Sequence, residues 1–116
     1  MDADLERRVK NEVIFREVNE RIGEFSSRVG VDPDDSVFSG FVCECSQETC
    51  TERLQISYKK YEEVREHPRR FAVVPGHEDL DAERVVDRPE GCLIVEKRPQ
   101  ASGIAVEHDP RSRHTL

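Results

Sequence analysis

The chain lacks any run approaching the roughly 20 apolar residues that a helix needs to cross a bilayer. It has no tryptophan, and aromatic residues make up only 6% of it. The stacking platform that single-stranded nucleic acid requires is therefore missing, because Phe38, Phe41, Tyr58, Tyr61 and Phe71 stand mostly at core-like positions. A basic excess is missing too. The 18 lysines and arginines face 25 acids, for a net charge of −7, which argues against non-specific nucleic-acid binding. The short clusters Arg7-Arg8, Lys59-Lys60 and Arg69-Arg70 are each flanked by acids and read as solvated surface. The patterns H-E-x-x-H, G-x-S-x-G and G-x-x-x-x-G-K-[ST] are absent, as is the paired H-x-E and P-C-x-x-C of the zinc deaminases. An enzyme is thus the less expected class. The acidic start Met1-Asp2-Ala3-Asp4 lacks the basic and then apolar stretch of a secretion signal, so a cytoplasmic protein is expected.

What remains is a chain of 116 residues, 35% hydrophobic and 37% charged. That length and composition allow one domain with one modest core, with the ends expected to stay unpacked. A small core is also where a metal staple helps most.

Residues 4–27 read as a long helix. Ile14, Val18, Ile22 and Phe25 form an apolar stripe on it, while Leu5, Val9 and Val13 drift around the axis. The stripe suits packing of the helix's second half on the core, or pairing with a second helix. It is too short for a sustained coiled coil, which favours the core. Gly30 and Pro33 punctuate a loop over 28–36. Val37 to Cys45 is β-like, Ser46–Thr49 is a polar turn, and Leu54 and Ile56 alternate with polar residues as in a half-buried strand. Ser57 can cap a helix from Tyr58 to about His67, stopped by Pro68, with Tyr58, Tyr61 and Val64 on its buried side. Strands follow at 71–74, 83–87 and 92–96, with turns at Pro75-Gly76 and Pro89-Glu90-Gly91. The expected class is α+β: a long N-terminal helix, then a small zinc-stapled domain of short antiparallel strands with one packed helix. The divisions are a helix and linker over 1–36, a metal-binding domain over 37–98, and a weakly ordered tail over 99–116.

The chemistry concentrates in Phe41-Val42-Cys43-Glu44-Cys45, with Cys50 following after four intervening residues. On a strand, Cys43 and Cys45 project from one face, and the intervening turn can bring Cys50 back to them. Cysteines clustered in a reducing compartment point to metal before disulfides. Three convergent thiolates suit Zn2+, and a structural zinc needs a fourth ligand. Two candidates offer one. His77 follows the Pro75-Gly76 turn, with Glu78 and Asp79 at hand to fix its ring, and is preferred; Cys92 opens an apolar run and reads as a buried small hydrophobe. His67, at a helix end, is a weaker choice, and His108 and His114 fall in the tail. A redox reading of the three thiols is disfavoured by their acidic neighbours Glu44, Glu48 and Glu52, which raise thiol pKa.

The stretch FVCECSQETCTERLQISYKKYEEVREHPRRFAVVPGHE, with RVVDRPEGCLIVEK and the closing DPR, resembles a family of short uncharacterised proteins of GC-rich Gram-positive (actinobacterial-type) bacteria. The matching positions are Phe41, Cys43, Glu44, Cys45 and Cys50, then Tyr61 to Arg65, Pro75 to Glu78, and Val95 to Lys97. Lys60 departs from the pattern, standing where an acid is expected. The resemblance implies that His77 belongs with the cysteines, and it carries no activity with it. The function expected is a structural-zinc binding or adaptor module, engaging a protein or a second copy of itself through the N-terminal helix. The alternative is a thiol-based redox- or metal-responsive regulator.

Overall fold

The computed structural model describes residues 3–111. It is an α+β fold with the elements α1 (Ala3–Arg28), α2 (Tyr58–Arg65), β1 (Arg70–Val73), β2 (Glu83–Asp87), β3 (Leu93–Lys97) and α3 (Pro99–Glu107). The three strands form one antiparallel sheet in the order β1-β3-β2. Gly91, at φ 89°, turns β2 into β3; a Cβ there would also lie 2.9 Å from the Gln55 carbonyl oxygen, so both conformation and space call for glycine. Ser57 caps α2 as its position suggests, accepting from the Lys60 amide at 3.0 Å.

Residues 38–56 form an irregular hairpin rather than two regular strands. Its arms are joined by Cys43 N–H to Glu52 O, Leu54 N–H to Phe41 O and Ile56 N–H to Phe38 O. Phe41, Leu54 and Ile56 fill the core with Tyr61, Val64, Phe71 and Ile94, and Phe41 stacks on Tyr61 at 4.2 Å between ring centres. With so little ladder of its own, the hairpin depends on what it packs against.

Helix α1 packs with the opposite face from the one its apolar stripe suggests. Ile14, Val18 and Phe25 are exposed, and Ile22 is only partly covered. The buried face runs through Leu5, Val9, Glu12, Val13, Arg16, Asn19, Gly23 and Ser26. Its larger polar members find partners across the fold. Arg16 donates to Pro68 O (2.7 Å) and Ala105 O (2.6 Å) and lies over the Phe71 ring. Asn19 exchanges both amide bonds with the Val42 backbone at 2.8 Å. A purely apolar periodicity cannot register a face held this way.

The expected weakly ordered tail is likewise corrected over its first part. Residues 99–107 are α3, opened by Pro99, whose fixed φ and missing N–H suit a first helical turn. Small Ala101 and Ala105 let it lie close to α1, with Leu5, Val9 and Ala82 packed around Ala101. Beyond it, Asp109 accepts from Arg65 at 2.6 Å, and Arg111 grips Glu62 with two bonds and Glu20 with a third. Residues 112–116, the rest of that expected tail, lie outside the described residues.

The interior holds a high density of charge: Arg16, Arg65 and Lys97 against Glu12, Glu44, Glu83 and Asp109. Lys97 bridges Glu12 and Glu83, with no side-chain exposure at any of the three. Burial pushes the Glu12 carboxyl well above the usual range; Lys97 opposes this and Glu83 adds to it. A raised carboxyl pKa favours the folded state fully below the ordinary value near 4.5, and that contribution is lost as pH climbs through the folded value. Glu12→Gln is therefore expected to flatten the decline in stability as pH rises above the ordinary carboxyl value near 4.5. Urea midpoints at several pH values, compared with the parent chain, measure it; an equal slope in both removes Glu12 as the cause.

Candidate metal centre

The extended backbone at 43–45 sends alternate side chains to opposite sides. Cys43 and Cys45 turn one way, and Glu44 turns the other, into the core. The Glu44 carboxylate accepts from Asn19 on α1 (2.8 Å), from the Tyr61 hydroxyl on α2, and from the Ala72 amide on β1 (3.0 Å), while its own amide donates to Ala72 O. One acid thus pins the hairpin to three elements and fixes where the flanking thiols point. Burial raises its pKa, and these donors pull it back.

Cys50 returns through a tight turn in which its amide donates to Gln47 O at 3.0 Å. His77 arrives from the other side. The His77 amide donates to Val74 O at 2.9 Å across Pro75-Gly76, and Gly76 has φ 95°, the arrangement of a type II turn. The Val74 amide donates to Cys43 Sγ at 3.1 Å. Residue 74, just past β1, thereby holds both the imidazole-bearing turn and the first thiol.

Cys43, Cys45, Cys50 and His77 come together with their donor atoms all within 4.8 Å of one another, close enough to hold a metal ion. His77 Nδ1 lies 3.7 Å from Cys43 Sγ and 3.6 Å from Cys50 Sγ. Tetrahedral coordination with ordinary zinc bond lengths requires an S···N separation of about 3.6 Å, and these two separations match it. Cys43 Sγ receives the Val74 N–H, and the backbone at Gln47 and at Glu52 acts to lower the Cys45 and Cys50 thiols. Such backbone donors would help spread the negative charge of thiolates around a bound cation.

The ring of His77 is oriented from its far side. Its Nε2 lies 2.6 Å from Glu52 Oε2, which leaves Nδ1 to face the sulfurs. This corrects the expectation that Glu78 or Asp79 fixes the ring: Glu78 accepts from the Gly76 amide, and Asp79 pairs with Arg8. The signal for Glu52 was a carboxylate two residues past a ligand cysteine, too short a pattern to stand out. Among the thiols themselves, a hydrogen bond from Cys43 pulls Cys45 down to about 5, and the same bond pushes Cys43 up. The interaction with Cys45 raises His77. The shared proton thus favours the thiolate at Cys45, the form a cation takes.

Cys92 stays out of this group. It is buried among the apolar core residues, and burial pushes its thiol up to about 11. His67 is exposed on the surface near α2, and His114 lies outside the described residues. Cys92→Ala is expected to leave metal content unchanged, whereas Glu52→Gln should weaken metal affinity about 10- to 100-fold, as loss of an outer-shell partner typically does. Competition against a chromophoric chelator reads both. Equal affinities for Glu52→Gln and the parent chain would remove Glu52 from the centre.

Among the described residues no helix is long and apolar enough to cross a membrane. Comparison with known proteins finds no matching family model, curated protein or solved structure, so the centre rests on its own geometry.

Proposed function

We propose that the chain is a small structural-zinc module that uses its metal to lock the 38–56 hairpin onto the sheet and presents helix α1 to a protein partner. The observation that carries this reading is the convergence of three sulfurs and one oriented imidazole nitrogen within 4.8 Å of one another. Four protein donors would close the coordination shell and leave no position for a substrate or an activated water. Three thiolates would also make the ion a poor Lewis acid. The metal's work here is therefore on folding, in keeping with a core this small. Zinc fits the soft donor set, and a reducing cytoplasm would keep the thiols available for it. Elemental analysis of the purified full chain should find one zinc per chain. An iron chromophore, or a chain folded with no bound metal, would overturn the reading.

One observation favours the regulator as a second reading: Cys50 is partly exposed while Cys43 and Cys45 are buried. A redox regulator would lose zinc reversibly as peroxide consumes thiols, with a change of assembly state. Retention of metal through the same treatment supports the structural reading.

A further inference from the structure

We propose that the outward face of α1 binds the same face of a second copy of this chain, as an antiparallel helix pair centred near Ile22. This names the partner for the binding surface in the reading above, and rests on it. Ile14, Val18, Phe25 and Val29 are 57%, 40%, 63% and 59% exposed, and together with half-covered Ile22 they make one continuous apolar stripe. The stripe lies away from the face that α1 buries in the core. A contiguous apolar surface on a chain this charged marks an interaction site.

The charges beside the stripe identify the occupant. Glu17, Arg21, Glu24 and Arg28 run along one border of it. Their i,i+4 spacing would allow pairing within the helix, yet no side chain of the four makes an ion pair or hydrogen bond among the described residues. The order acid, base, acid, base is its own complement when reversed. In an antiparallel pair, like borders face each other. Glu17 then meets Arg28 of the second copy, and Arg21 meets Glu24 of the second copy. Two-fold symmetry repeats each pair. Val18 then falls against Phe25 and Ile22 against itself, with centres within one residue of that of the charge pairs, so apolar layers and charges are compatible with one register. A parallel pair would instead bring this border against the opposite one, where Asn19 and Ser26 are already turned into the core.

The stripe spans about 22 Å of helix, so the interface falls short of a standard one of about 800 Å² per partner. A reversible, concentration-dependent dimer follows, weakened by salt.

Sedimentation velocity on the full, metal-loaded chain tests this over a range of concentrations at low and high salt. The expected result is a dimer that dissociates on dilution and more readily at high salt. Val18→Asp and Phe25→Asp should be monomeric, with melting and metal content unchanged, since both positions are exposed. Glu17→Arg should shift the equilibrium toward monomer, and adding Arg28→Glu should restore the dimer. A parent chain monomeric at every concentration overturns the proposal. So does a dimer indifferent to Val18→Asp and Phe25→Asp, or one that the paired charge reversal fails to restore. Zinc per chain, measured on the same samples, separates this outcome from failure of the zinc reading: either can fail while the other stands.

Discussion

Removing the metal with a strong chelator, or replacing Cys45 with serine, is expected to abolish the cooperative thermal melt of residues 41–80. Structural zinc contributes about 10–16 kcal/mol of apparent binding free energy at neutral pH. A whole domain is stabilised by only about 5–15 kcal/mol. The hairpin has little to fall back on, since its arms share an irregular set of backbone bonds instead of a ladder. Without the ion, three thiols and an imidazole are left crowded within 4.8 Å, with competing protonation states and no common partner. Circular dichroism with and without chelator, followed by hydrogen exchange, would locate the loss. Protection should vanish at Cys43, Leu54 and Val74 first, and persist longest in the pairing of β2 with β3. An unchanged melt after verified metal removal would mean that the apolar core alone holds the hairpin.

The second large effect lies away from the metal. Lys97→Met keeps the approximate length of the side chain and removes its charge, leaving Glu12 and Glu83 facing each other with no cation between them. Removing one member of a buried ionic cluster typically costs about 3–5 kcal/mol, because the partners are left uncompensated. For a domain of this size that corresponds to a fall in Tm on the order of 10–20 °C. The Lys97 ammonium also sits 4.7 Å from the Phe71 ring centre, and the same substitution removes that cation–π attraction. Adding Glu12→Leu and Glu83→Leu to Lys97→Met should recover much of the stability, since buried ionic groups are often replaceable by apolar ones of similar volume. Urea denaturation of the parent, the single variant and the triple variant measures this. If Lys97→Met melts with the parent, the cluster is neutral in sum and the Coulomb argument fails.

Some parts of the fold were legible in the sequence, and others were hidden for identifiable reasons. Helix α2 announced itself through Ser57 at its start and Pro68 after its end. The β2–β3 hairpin was marked by Pro89-Glu90-Gly91, because only glycine fits the turn. The four residues that converge could be named because cysteine pairs on an extended strand point the same way and Pro75-Gly76 forces a turn just before His77. The buried face of α1 was hidden because its central residues, Glu12, Arg16 and Asn19, are polar, and their partners lie far away in sequence. Helix α3 was hidden because Pro99 and Gly103 look like breakers when α1, which packs beside Ala101 and Ala105, is not in view. Glu44 looked like an acidic neighbour that would disturb the thiols. The two-residue period that aligns Cys43 with Cys45 also turns Glu44 away from them.

That placement of Glu44 gives the chain a built-in optical reporter. The Tyr61 hydroxyl donates to the Glu44 carboxylate, and the chain holds two tyrosines and no tryptophan. Phenol emission is quenched by a carboxylate held this close. Intrinsic fluorescence should therefore brighten when the segment carrying Cys43 and Cys45 lets go, so the occupancy of the centre can be followed without any label.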